Sequence, residues 1–307
     1  MSRSRMTTHA GGSIRSLVLL MAALTVAGAI AHGGSGREKS KGHLCIIGGG
    51  NRDARMMKEF IRLAGGEKSV ILVVPMASGT PDTTGMEQSA EIKALGAGSV
   101  SPLLITREEA MQPATLARLN GVTGVFFSGG DQARLTAVVG GTPVHERFLA
   151  MYREGAVMGG TSAGAAIMSR VMITGDERLN RDSTNGFVFA RRNNVVTIDG
   201  LGFLGTVIID QHFLRRKRHN RLISVVLEHQ KLIGVGIDES TAIIVEPDST
   251  FRVMGEGGVL VLDATGASKT KEDPRGNLGA AGMKMHMLLD GDRFDMRRLK
   301  VIPGVGR

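Results

Sequence analysis

The sequence predicts an α/β fold, a three-layer sandwich around a mostly parallel sheet. Three observations point to it. From residue 43 onward, short apolar runs alternate with amphipathic stretches. The runs end in small-residue turns, at 48–50, 128–130 and 159–161. One turn continues into Gly-Gly-Thr-Ser-Ala-Gly-Ala at 159–165, between a strand and a helix. Apolar strands alternating with amphipathic helices imply a parallel sheet covered on both faces.

The elements follow in order. Residues 43–47 form an apolar strand, and 52–64 a helix with Met56, Phe60 and Leu63 on one face. A buried strand over 70–74 stops at Pro75, followed by a helix over 87–95. A strand at 100–105, a helix at 108–119 and a strand at 122–127 complete this half. After the strand at 156–158 and the Ser162 turn, a helix begins at 166–168. The second half shows strands at 207–209, 233–237 and 243–246. Residues 250–262 read as paired strands about a turn at 255–258, giving an antiparallel edge. Residues 269–282 are polar and glycine-rich, hence a loop, and 283–289 read as a last strand.

Ser162 is the first candidate for chemistry. A serine in G-x-S-x-G form between strand and helix has the arrangement of a nucleophile elbow. The surrounding glycines permit a tight turn and keep side chains away from an incoming substrate. The helix start behind it offers free N–H groups to a developing oxyanion. A small-residue turn that lets a helix pack closely is the competing explanation.

A serine nucleophile needs a base, and neutral imidazole is the usual one. Of eight histidines, His212 is the best placed, because the strand over 207–209 delivers it at its end. An acid must then orient the ring. The strand over 233–237 ends in Asp238-Glu239, and the residues alone leave either as the candidate. The glycines at 48–50 fit the dinucleotide fingerprint poorly, since Asn51-Arg52-Asp53 follow and Pro75 stands after the second strand. They read as a strand-end turn lining the site.

Composition narrows the function. Apolar residues are 42% and charged residues 22%, as in globular proteins. With no Trp and one Tyr there is no stacking platform for single-stranded nucleic acid. The formal charge is +9. Residues 1–31 hold Arg3, Arg5 and Arg15 and no acid, so removing them leaves 9 − 3 = +6. No recognition helix or zinc-finger spacing accompanies this charge, so it points to an anionic substrate and not to nucleic acid.

Residues 1–31 read as a signal peptide: a basic start, an apolar run over 17–31, and Ala29-Ile30-Ala31 as a cleavage site. The run is short for a membrane span. Residues 32–42 read as a flexible linker, 43–290 as the α/β domain and 291–307 as a C-terminal tail. The mature protein is expected to be exported, periplasmic or extracellular, and free of the membrane. The lone Cys45 forms no disulfide within the chain and reads as strand packing.

Four segments together resemble the cyanophycinase family of serine peptidases. They are Gly129-Gly130-Asp131-Gln132, Gly160-Thr161-Ser162-Ala163-Gly164-Ala165, Asp210-Gln211-His212-Phe213 and Gly236-Ile237-Asp238-Glu239-Ser240-Thr241-Ala242. Each is weak alone; their shared order and spacing over 43–290 make them strong. The resemblance implies a class I glutamine-amidotransferase-like sandwich, a homodimer, no cofactor and no metal. It implies hydrolysis of cyanophycin, a poly-aspartate backbone with an arginine on each β-carboxylate, to β-Asp-Arg dipeptides.

Carried onto this chain, the resemblance makes Ser162 the nucleophile, His212 the base and Glu239 the orienting acid. The N–H of Ala163 and one of Gly129 or Gly130 would form the oxyanion hole. Gln132, Asp210, Gln211, Arg216, Arg218 and Arg221 match substrate-contacting positions. The three arginines suit carboxylates, which a guanidinium fork binds through paired hydrogen bonds. A solvated basic helix face over 215–221 is the plainer account. Two rival functions stand: an α-aspartyl or isoaspartyl dipeptidase of the same fold, and a non-catalytic amidotransferase-like binding subunit.

Overall fold

The computed structural model describes residues 40–179 and 186–303. The segment read as a signal peptide, and most of the linker, lie outside the described residues.

The chain alternates strand and helix through its first half, as the apolar pattern requires. Strand β1 (Leu44–Ile47) leads to helix α1 (Ala54–Leu63), then β2 (Val70–Val74) and α2 (Pro81–Ala94). Strand β3 (Ser99–Pro102), short helices α3 (Arg107–Ala110) and α4 (Pro113–Ala117), and β4 (Gly124–Phe127) follow. Pro113 opens α4, which is why the expected helix over 108–119 is broken in two. Then come α5 (Gln132–Val139), α6 (Pro143–Glu154), β5 (Val157–Thr161) and the one-turn α7 (Ala163–Ala166).

The second half holds β6 (Val171–Glu177), β7 (Val195–Asp199), β8 (Val207–Gln211), α8 (His219–Glu228) and β9 (Ile233–Ile237). Strands β10 (Thr241–Val245), β11 (Thr250–Gly255) and β12 (Val259–Asp263) come next. Last are β13 (Ser268–Glu272), β14 (Leu278–Ala281), β15 (Lys284–Leu288), β16 (Arg293–Asp295) and β17 (Lys300–Ile302).

The central sheet is mixed, with nine strands in the order β17-β16-β11-β10-β1-β5-β4-β2-β3. Strands β1, β5, β4, β2 and β3 run parallel. The other four add antiparallel, and two come from the segment read as a tail. One face packs on α1 through Met56, Met57 and Phe60. The other packs on α5 and α6 through Leu135, Val139, Val144 and Phe148.

A second sheet, β15-β12-β9-β8, was not expected. Strands β8 and β9 are parallel neighbours in it, not members of the central sheet. Alternation along β8 sends Val207 and Ile209 to the central core and Ile208 to the layer beneath α8. The expected pairing across 250–262 is corrected accordingly. Strand β11 belongs to the large sheet and β12 to the small one, so the turn at 255–258 carries the chain between sheets. The expected loop over 269–282 is a hairpin, β13–β14.

This topology places the site. Strands β1, β5 and β4 are adjacent and parallel, so the segments after them leave one edge together. Strands β8 and β9, also parallel, deliver His212 and Glu239 from their carboxyl ends. Backbone bonds join the two sheets there: His212 N–H donates to the Gly48 carbonyl at 2.7 Å, and Ser240 N–H to Gly49 at 2.8 Å.

Candidate active site

Ser162 stands between β5 and α7 with φ 54 and ψ −110. A non-glycine residue rarely holds such a backbone, and its surroundings must enforce it. Here Ser162 N–H donates to the Ile47 carbonyl at 3.0 Å, while the Ser162 carbonyl accepts from Ala165 and Ala166. The strained turn lifts the hydroxyl off the sheet edge.

Its partner is His212. Ser162 Oγ lies 2.9 Å from His212 Nε2, and His212 Nδ1 lies 2.6 Å from Glu239 Oε1. A carboxylate only accepts, so Nδ1 carries the proton and Nε2 is left to accept from the serine. Of the two adjacent acids, Glu239 reaches the ring. Asp238 turns elsewhere, its Oδ1 accepting from the Arg215 N–H at 2.9 Å.

The surroundings favour the neutral form of this histidine. Burial pushes the His212 imidazole below its ordinary value, and Arg216 and Arg218 push the same way. The Glu239 hydrogen bond opposes them without cancelling them. The same bond, ahead of neighbouring arginines, holds the Glu239 carboxyl below the usual carboxylate range. A carboxylate, an imidazole and a hydroxyl thus stand in line.

The glycines after β1 complete the geometry. A Cβ on Gly49 would stand 2.5 Å from His212 Nε2, and one on Gly50 would stand 2.8 Å from Glu239 Cβ. Both have positive φ, 110 and 69. The sequence placed this turn at the site edge; that it forms the floor under the imidazole was not expected.

Of the oxyanion candidates, Ala163 and Gly129 adjoin the serine, while Gly130 packs on the backbone of Ala77 and Ser78. Ala163 is the first residue of α7, where helix geometry leaves its N–H without an intrahelical partner. Gly129 lies against Ser162, since a Cβ there would be 3.4 Å from Ser162 Cβ. Gly130 follows with φ 133.

The substrate-contacting candidates divide into four groups. Arg216 is half exposed, and its Nε lies 4.0 Å from Glu239 Oε1. Arg218 is mostly covered, donating from Nη1 to the Gln211 carbonyl and to Gln211 Oε1, both at 2.7 Å. Burial and the neighbouring Arg221 push the Arg218 guanidinium down to about 10. Gln132 is buried, and its Nε2 donates to the carbonyls of Ile173 and Thr174 on β6.

Asp210 and Arg221 depart from expectation. Their side chains are 0% and 2% exposed and form a two-point pair, Arg221 Nε meeting Asp210 Oδ2 at 2.9 Å and Nη2 meeting Oδ1. Charges matched and enclosed in this way brace the turn between β8 and α8 instead of facing a ligand. Nor do residues 215–221 form one helix face. Lys217 has φ 51, and α8 begins only at His219, so Arg216 and Arg218 sit on a turn.

The strand–turn–helix serine, hydrogen-bonded to an imidazole that is bonded in turn to a carboxylate, has the arrangement of a serine-hydrolase triad. The profile of Peptidase family S51 matches residues 44–253. The chain belongs to that family and is a serine-type peptidase. A cyanophycinase of Synechococcus elongatus is 37% identical over 270 residues, covering 85% of this chain and 81% of that protein. A cyanophycinase of Trichormus variabilis is 35% identical over 278 residues, covering 88% and 91%. The crystal structure of a peptidase from an acI-B1 actinobacterium shares the fold, with a TM-score of 0.60. It covers 84% of this chain and 98% of that one at 22% identity.

Among the described residues, no helix is long and apolar enough to cross a membrane. No cluster of three or more His, Cys, Asp or Glu side chains there is placed to hold a metal ion.

Proposed function

We propose that this chain is an exported cyanophycinase, an exopeptidase releasing β-Asp-Arg dipeptides from multi-L-arginyl-poly-L-aspartate. The observation that carries the reading is Arg216. It holds a half-exposed guanidinium beside Glu239, within reach of a substrate at the relay. Each β-Asp-Arg unit carries a free carboxylate on its pendant arginine, and a guanidinium fork matches it. The relatives named cyanophycinase, aligned over most of both chains, support the same choice.

The chemistry follows from the geometry. Nε2 of His212 takes the Ser162 proton as Oγ attacks an aspartyl peptide carbonyl. The imidazolium so formed is held by Glu239. The carbonyl oxygen gains its charge facing the N–H groups of Ala163 and the 129–130 strand-end turn. His212 then protonates the leaving amine. Water, activated by the same imidazole, releases the acyl group and restores the hydroxyl.

Export rests on the basic start, apolar run and small-residue site of residues 1–31. A homodimer is the family expectation carried with the resemblance. The test is incubation of the purified protein with cyanophycin and, separately, with α- and β-aspartyl dipeptides, products being identified by mass spectrometry. β-Asp-Arg from the polymer supports the reading. Cleavage of dipeptides with the polymer untouched would replace it with an aspartyl dipeptidase.

A further inference from the structure

Glu239 serves the imidazole; its neighbour holds something else. The turn over 213–218 leaves β8 after His212 and enters α8 at His219. It carries four successive cations, Arg215, Arg216, Lys217 and Arg218. Three of its N–H groups bond within residues 212–218: Arg216 N–H donates to the His212 carbonyl, Lys217 to Leu214 and Arg218 to Phe213. Two are not. Phe213 N–H donates to the Ile237 carbonyl at 3.2 Å, and Arg215 N–H to Asp238 Oδ1 at 2.9 Å.

Three consecutive residues therefore grip the segment that starts at His212. Ile237 holds Phe213, Asp238 holds Arg215, and Glu239 holds the His212 ring. Asp238 is itself fixed, its N–H donating to the Gly258 carbonyl at 3.2 Å. The turn needs an external clamp for two reasons. Four like charges in sequence repel one another, and Lys217 holds a positive φ of 51, which persists only under constraint. A fixed acceptor under the Arg215 N–H holds the turn against both.

We propose that Asp238 is a positioning residue, clamping the basic turn so that Arg216 stays in register with the Ser162–His212–Glu239 relay. It touches neither the imidazole nor the reacting atoms. Its loss displaces Arg216 while leaving the relay assembled. It therefore acts on substrate affinity more than on the chemical step. The choice of substrate in its test rests on the cyanophycinase reading; the clamp does not.

The test compares Asp238→Ala with Asp238→Asn, whose amide oxygen keeps the acceptor. Asp238→Ala is expected to raise KM for cyanophycin on the order of tenfold, with kcat little changed. Asp238→Asn restores most of the loss. A second readout needs no substrate: trypsin cutting after Arg215, Arg216 and Lys217, mapped by mass spectrometry. A clamped turn resists cleavage, so Asp238→Ala is cut faster than wild type and Asp238→Asn is not. Unchanged KM and cutting in Asp238→Ala would overturn the clamp, as would a fall in kcat at constant KM. If Asp238→Ala does not fold, Asp238→Asn decides: wild-type KM and cutting support the clamp, impaired values overturn it. If wild type leaves cyanophycin intact, the substrate reading fails and the cutting pattern alone decides the clamp.

Discussion

Gly49 lies against the imidazole of His212, so close that an added methyl would stand 2.5 Å from Nε2 and 2.9 Å from Nδ1. Its φ of 110 excludes most side chains as well. Gly49→Ala should therefore push the ring out of line with Ser162. A misplaced base costs on the order of 10² in rate. Labelling by a fluorophosphonate probe should slow accordingly, while thermal unfolding remains cooperative. Wild-type labelling would mean that the ring tolerates displacement.

The pH dependence follows from the direction of the His212 shift. Burial lowers this pKa, so the neutral base persists below the ordinary imidazole value of about 6.5. The acid limb of kcat/KM should fall below that pH. Arg216→Gln removes a nearby cation, makes protonation easier and should move the limb to higher pH. Glu239→Gln removes the group favouring the imidazolium and should move it lower. A neutral activated ester is the appropriate substrate, since Arg216 then plays no part in binding.

Glu239→Gln also replaces an obligate acceptor with a group that can present N–H to Nδ1 and so select the wrong tautomer. In serine-protease triads the equivalent change lowers kcat on the order of 10⁴. A comparable loss is expected, with KM nearly constant. Steady-state kinetics on any cleaved substrate check it.

Asp210 and Arg221 pair within the core, so Arg221→Ala leaves the buried carboxylate only the more distant Arg218, whose Nη1 stands 3.9 Å from Oδ1. Breaking such a pair costs about 3–5 kcal/mol. Urea unfolding should show that loss. The double variant Asp210→Leu with Arg221→Met should recover most of it, because enclosed ion pairs are often replaceable by apolar packing.

Much of this site was legible in the sequence because its parts are local. Ser162 sits in a strand–turn–helix signature, and His212 and Glu239 each follow an apolar run that ends abruptly. The choice between Asp238 and Glu239 was not local. It depends on how the chain turns at Ser240, whose φ of 53 passes it from the small sheet to the large one. Strands β8 and β9 read like those of the first half because periodicity reports burial and not sheet membership. Gly49 and His212 are far apart in sequence, so no local pattern relates them. Asp210 and Arg221 meet because the turn between them folds back at Lys217, and a charge run does not announce such a bend.

The most direct measurement is intact-mass and peptide mass spectrometry of the protein after exposure to a fluorophosphonate. One adduct on Ser162 is expected, absent from Ser162→Ala and strongly slowed in His212→Ala. An unlabelled wild type, or an adduct that persists in Ser162→Ala, would contradict the account.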